Sequence, residues 1–248
     1  TDTDALFTAN TQLRADYIEL NGGTYNGTVS VERTGPNLSM TATWNGGGVQ
    51  RGGNVFANTL TVTNHSGTSW TWGTQEADGF NAEVKFIHGR GNNSQLYMAH
   101  GEKHRFKGNI RLESTSDALA SSGIQLGFAG DSTELEAGKL LLTTGFLGGK
   151  IKFFRFNQRD SDTPQTVALP QAATLQLEQA VFEGELSATA GHLEISNSIF
   201  YRRSDFIKTA TGTDCSNGFN LFHRRTKFTN QAPAGNNLRF SAPNYVIR

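Results

Sequence analysis

One cysteine in 248 residues, Cys215, excludes any disulfide within the chain, so packing and hydrogen bonds alone must hold the fold. The lone thiol reads as a small, partly buried side chain without chemistry. Proline is scarce, at five residues, and no apolar run approaches the length needed to cross a bilayer. Helical spacing of apolar residues is nearly missing. The one stretch that hints at it, residues 175–180, also alternates as Leu175-Gln176-Leu177 and reads as strand. Charge is modest at 18%, which excludes a highly charged disordered tail. The glycine runs lack the spacing of phosphate-binding loops, and no nucleophile motif occurs.

Net charge is absent as well, with 22 basic and 22 acidic residues, but the two signs are unevenly placed. Residues 199–248 hold eight Lys or Arg and two Asp, whereas residues 1–198 hold fourteen basic and twenty acidic residues. That asymmetry favours end-to-end contact. Thr1 begins inside polar sequence and Arg248 ends a strand-like phrase, so the chain is expected to be a segment of something longer.

What is present is repetition. A bulky apolar residue, a spacer, a small or Asn residue, a spacer and two alternating apolar residues recur five times. The copies are Tyr25-Asn26-Gly27-Thr28-Val29-Ser30-Val31, Phe56-Ala57-Asn58-Thr59-Leu60-Thr61-Val62, Phe80-Asn81-Ala82-Glu83-Val84-Lys85-Phe86, Phe106-Lys107-Gly108-Asn109-Ile110-Arg111-Leu112 and Phe182-Glu183-Gly184-Glu185-Leu186-Ser187-Ala188. The first four start 31, 24 and 26 residues apart. A second alternating segment follows within each unit, as in Ser69-Trp70-Thr71-Trp72 and Leu96-Tyr97-Met98-Ala99. Period-two alternation means strands with one buried face. One such unit cannot bury its own apolar face, but stacked units can.

The expected fold is all-β, a parallel β-solenoid (β-helix) with coils of 24–31 residues. An antiparallel β-sandwich or a propeller is the alternative, since both use short strands and glycine-rich turns. A column of phenylalanines, 17 in all, suits a ladder because the ring carries no polar atom to satisfy. The repeat array is assigned to residues 1–198, with the charged, proline-bearing stretch 155–173 interrupting it. Phe146-Leu147-Gly148-Gly149-Lys150-Ile151-Lys152-Phe153 reads as a further copy of the phrase. Residues 199–248 form basic, aromatic C-terminal coils that serve as a cap or an interface.

The outward positions are Thr28 and Ser30, Thr59 and Thr61, Glu83 and Lys85, Asn109 and Arg111, then Glu185 and Ser187. Acid–base cleavage of sugars needs two carboxyl groups converging on one bond. These positions instead predict ion pairs on a solvent face, so no catalytic residue is assigned and the chain is not expected to be an enzyme; the alternative is a glycan-binding or polysaccharide-degrading β-helix module of the phage-spike or lyase kind. His100 and His104 stand four apart but in a glycine-bearing turn, so they read as surface residues and not as metal ligands. Asp2 and Asp4, and Asp160 and Asp162, lack the surroundings of a calcium loop. No cofactor or metal is expected.

Contact residues are the remaining candidates. Arg202, Arg203, Lys208, Arg224, Arg225 and Lys227 lie among Phe200, Tyr201, Phe222 and Phe228, a mixture that suits an anionic glycan or a subunit interface. No nucleic-acid motif accompanies them. Trp44, Trp70 and Trp72 are candidate glycan-facing aromatics.

The repeated phrases resemble those of giant, repetitive surface proteins of Bacteroidota exported by the type IX route, which include gliding adhesins and grappling-hook-like filament proteins. The resemblance covers roughly residues 13–198 and lies in the repeat, not in a catalytic motif. It implies an extracellular or cell-surface, elongated adhesin or filament segment. The implied partners are flanking repeats of the same chain, further copies in a homo-oligomer, and a prey or host surface or glycan. Nucleic acid and direct membrane insertion are not implied, and no active site carries over.

Overall fold

The computed structural model describes residues 6–15, 23–33, 53–65, 69–73, 76–89, 94–98, 103–116, 118, 121–128, 132–212, 214–233, 238–240 and 246–247. The chain is all-β, and every strand pair among the described residues is parallel. The strands lie in long sheets, none of them closed, as a parallel β-solenoid requires.

Each coil visits three faces in turn. The first face is one sheet of eleven short strands, from Leu6–Phe7 to Val246–Ile247. The second runs from Thr11–Ala15 to Leu141–Leu142 over six strands, then from Gln165–Ala168 to Thr226–Asn230 over four. The third carries six strands from Trp70–Thr71 to His192–Ser196, then the pair Asp214–Ser216 and Leu238–Phe240.

The repeated phrase maps onto the first face and the corner after it. Its bulky residue is a buried rung, and the rings of Phe7, Tyr25, Phe56, Phe80 and Phe106 stack at centroid distances of 4.6–5.7 Å. Stacking resumes at Phe182, Phe200 and Phe222. The small residue two places on is needed because the coils touch there. A Cβ on Gly108 would sit 2.1 Å from the Ala82 backbone carbonyl carbon. The next two apolar positions, such as Val84 and Phe86, point inward from the second face.

Between Phe106 and Phe182 the rungs are Leu135 and Gln158. Gln158 is fully buried, yet both ends of its amide are used. Its Nε2 donates to the Asp160 carbonyl at 2.9 Å and its Oε1 accepts from the Gly184 N–H at 2.8 Å. A polar rung is tolerated because it leaves no unsatisfied group. Phe156, in the same strand, supplies the missing ring volume against Phe153 at 4.9 Å.

Rungs at residues 7, 25, 56, 80, 106, 135, 158, 182, 200, 222 and 247 make coils of 18 to 31 residues. The lower limit is below the 24 expected, because the corners absorb the variation. Residues 155–173 do not interrupt the array. They supply the strands Phe156–Gln158 and Gln165–Ala168 of a full coil, with the charged residues confined to its turn. The phrase beginning at Phe146 is not a rung either, since Gly149–Phe154 lies on the third face. The coils continue past residue 199 in the same sheets.

Two faces are broken and repaired by side chains. On the second, the Leu141 N–H donates to Gln165 Oε1 at 2.9 Å in place of a backbone acceptor. On the third, the Leu193 and Ile195 N–H groups donate to Asp214 Oδ2 (2.8 Å) and Ser216 Oγ (3.1 Å). These substitutes keep buried backbone donors paired where the strands are out of step.

The corner between the third and first faces is also repeated. Gly53, Arg155, Gln179, Asn197 and Phe219 each stand three residues before a rung, with φ between 49° and 74°. Glycine and Asn suit that left-handed conformation, whereas a bulky side chain does not.

Candidate functional site

Burial of each rung forces the next side chain outward. In successive coils those positions hold Arg159, Glu183, Tyr201 and His223, and the positions after them hold Asp160, Gly184, Arg202 and Arg224. Ser161, Glu183, Tyr201, Arg202, His223 and Arg224 line an open groove of about 640 Å³. Tyr201 is 44% exposed and stacks on His223, with centroids 4.6 Å apart and planes within 4°. His223 Nε2 is shielded from solvent and has no hydrogen-bond partner among the described residues.

Charge pairing changes along this column. Arg159 Nη2 lies 2.9 Å from Glu134 and its Nη1 lies 3.5 Å from Glu183. Lys103 and Arg105 also reach Glu134, at 3.0 and 3.4 Å. Burial alone would raise the Glu134 carboxyl, but hydrogen bonds and charge from Lys103 and Arg159 hold it below the usual carboxylate range. Two and three coils beyond Arg159, Arg202 and Arg224 have no ion-pair partner among the described residues and are exposed. The groove therefore holds two unneutralised guanidinium groups beside a Tyr–His stack. Its carboxylate, Glu183, is already matched by Arg159.

Of the six basic residues singled out in the sequence, Arg202 and Arg224 are brought together. Arg225 and Lys227 are exposed near them on the following corner and strand. Arg203 is neutralised by Asp205 at 2.7 Å. Lys208 is unavailable for contact. It is fully buried, 3.0 Å from Asp214, and Asp214 also bonds His192 Nδ1 at 2.7 Å. Its alternating position on Ser204–Lys208 turns it inward, where the outward expectation fails.

The tryptophan expectation is corrected too. Trp70 and Trp72 are buried in the core, packed edge to face at 5.2 Å, so neither presents a ring to a glycan. Their apolar bulk fills the third face where its strands begin. Trp44, His100, Asp2 and Asp4 lie outside the described residues, as does the side chain of Cys215.

His104 is not a surface residue. It is fully buried, with its ring 6.1 Å from that of Phe80. Its Nδ1 accepts a hydrogen bond from the Asp78 N–H at 3.2 Å, which fixes the neutral tautomer. Burial pushes the His104 imidazole down to about 4. Burial likewise pushes the Asp78 carboxyl up to about 7, although Asn54 donates to it through both its backbone and side-chain nitrogens. This pair belongs to the core and not to a surface site.

The Asp160 carboxylate accepts from the Gly138 and Asp162 N–H groups at 2.9 Å, and from the Thr163 hydroxyl at 2.5 Å. It organises a turn. Among the described residues no group of three His, Cys, Asp or Glu gathers as for a metal ion. The ion pairs expected on the second face are present, with Arg111 3.0 Å from Glu83 and Lys85 2.8 Å from Glu113.

His223, Glu183 and Ser161 are the groove residues that were not singled out, and Tyr201 was named only as an aromatic neighbour of the basic residues. The available signal was register: Tyr201 and His223 each follow a rung phenylalanine, Phe200 and Phe222. No family model, no curated protein and no solved structure matches the chain.

Proposed function

We propose that the chain is a structural and adhesive segment of an extracellular or cell-surface protein, working as a stiff rod that contacts another surface through its outer faces. The observation that carries this reading is the continuous eleven-strand sheet with its stacked rungs. Parallel stacking transmits load between neighbouring coils, and each coil is stable only through those neighbours. The open sheet edges suit continuation by flanking coils or by another copy of the chain. The outer carboxylates support a contact role over a catalytic one. Glu83, Glu113, Glu178 and Glu183 each face a cation, so they do not converge as an acid–base pair.

The test is retention under flow. Beads coated with the chain should stay on a bacterial cell lawn at shear that removes beads coated with an unrelated β-protein. The same preparation should release neither reducing ends nor unsaturated products from a polysaccharide panel. Equal detachment of both bead types, or steady turnover of any polysaccharide, would overturn the reading.

A further inference from the structure

The geometry points to an acidic polysaccharide as the occupant of the groove formed by Ser161, Glu183, Tyr201, Arg202, His223 and Arg224. This inference deepens the rod reading above and rests on it. Arg202 and Arg224 bind carboxylate or sulfate groups on neighbouring sugars, while the Tyr201 hydroxyl, stacked against His223, hydrogen-bonds to a sugar hydroxyl.

Three observations converge. First, the neighbouring arginines Arg159 and Arg203 are neutralised by protein carboxylates, whereas Arg202 and Arg224 are not paired among the described residues. A planar guanidinium left free beside a groove suits bidentate binding of an oxyanion. Second, Phe200 and Phe222 are in register, so the two guanidinium stems start one coil apart, about 4.8 Å. Such a column suits a ligand whose charges repeat along its length. Third, Tyr201 and His223 cover one face of each other, so the exposed Tyr201 offers its hydroxyl edge more than a free stacking surface. Polar edges suit sugar hydroxyls, whereas single-stranded nucleic acid needs open aromatic faces for its bases. Glu183 does not repel an anionic ligand strongly, because Arg159 balances it.

The experiment is titration calorimetry of the whole chain against polygalacturonate (carboxylate), dextran sulfate (sulfate), neutral dextran and oligo-dT, each at low and high salt. At least one acidic polysaccharide should bind, with affinity falling as salt rises, and dextran should not. The separate arms identify whether carboxylate or sulfate is the recognised group. Arg202→Gln and Arg224→Gln should each weaken binding by about tenfold, the loss of one charge-assisted contact. Tyr201→Phe should weaken it a few-fold. Lys107→Gln removes an exposed cation outside the groove and serves as the control. Its binding should match the wild type, and all four variants should keep the wild-type melting temperature. Equal binding to dextran, tighter binding to oligo-dT, no binding to either acidic polymer, or equal loss in Lys107→Gln and Arg202→Gln would overturn the inference. Bead retention under flow without binding to the acidic polymers would overturn the inference alone and leave the rod reading standing. Polymer binding without retention would count against the rod reading instead.

Discussion

The buried Asp78–His104 pair predicts opposing pH dependences that separate only in variants. Asp78 titrates near 3.8 when unfolded and near 7 when folded. Across that window the folded state holds the proton more tightly, so this group's stabilising contribution falls as pH rises. The shift corresponds to about 4 kcal/mol. His104 titrates near 6.5 when unfolded and near 4 when folded. Between those values the unfolded state binds the proton, so this contribution rises with pH, by about 3 kcal/mol. In the wild type the two slopes nearly cancel between pH 4 and 6.5. Asp78→Asn keeps an acceptor for Asn54 but removes the carboxyl proton, so relative to wild type it should gain about 4 kcal/mol between pH 4 and 7. His104→Gln should lose about 3 kcal/mol relative to wild type between pH 4 and 6.5. Urea unfolding at a series of pH values measures both differences, and the contributions of all other titrating groups drop out of them. Profiles parallel to wild type for both variants would refute the assigned protonation states.

Three further predictions concern the packing. Phe80 lies fully buried between Phe56 and Phe106, so Phe80→Ala should cost about 3–5 kcal/mol in chemical denaturation, and a loss below about 1 kcal/mol would deny the rung its role. Phe219 is 64% exposed at φ 58°, so Phe219→Asn should stabilise by about 1 kcal/mol, read as a higher melting temperature. Lys208→Gln leaves the buried Asp214 carboxylate without its cation and should cost about 3–5 kcal/mol, whereas an unchanged melting temperature would show that the pair is not buried as described.

The repeated phrase made the solenoid legible because one steric demand recurs at every coil. A buried ring, a small residue at the close approach and two inward side chains leave the same mark at Tyr25, Phe56, Phe80, Phe106 and Phe182. The rung Leu135 was legible as an imperfect copy of the phrase, Leu135-Glu136-Ala137-Gly138-Lys139-Leu140-Leu141-Leu142, whereas Gln158 was hidden because it is polar, and it is made acceptable by Asp160 and Gly184. The rungs Phe200 and Phe222 were obscured by the basic residues that follow them. Alternation also misled where it was read without its phase. Trp70 and Trp72 stand two apart and so share one face of the chain, and that face is the inward one. Lys208 falls on an inward position that Asp214, from the third face, makes tolerable together with the Gly191 carbonyl. The groove was half legible: Arg202 and Arg224 stood out by charge. Their convergence with Tyr201 and His223 depends on coil register, which no local pattern encodes.

Stacking in register is the claim on which both the rod and the arginine column depend. Paired spin labels test it directly. In a Cys215→Ser background, labels at Asn26 and Lys107, Asn26 and Glu183, and Asn26 and His223 each occupy the position after a rung, three, six and eight coils apart. Pulsed dipolar distances should rise evenly, about 14, 29 and 38 Å, at one strand spacing per coil. Distances that fail to increase with coil number, as in a sandwich whose strands double back, would contradict the account.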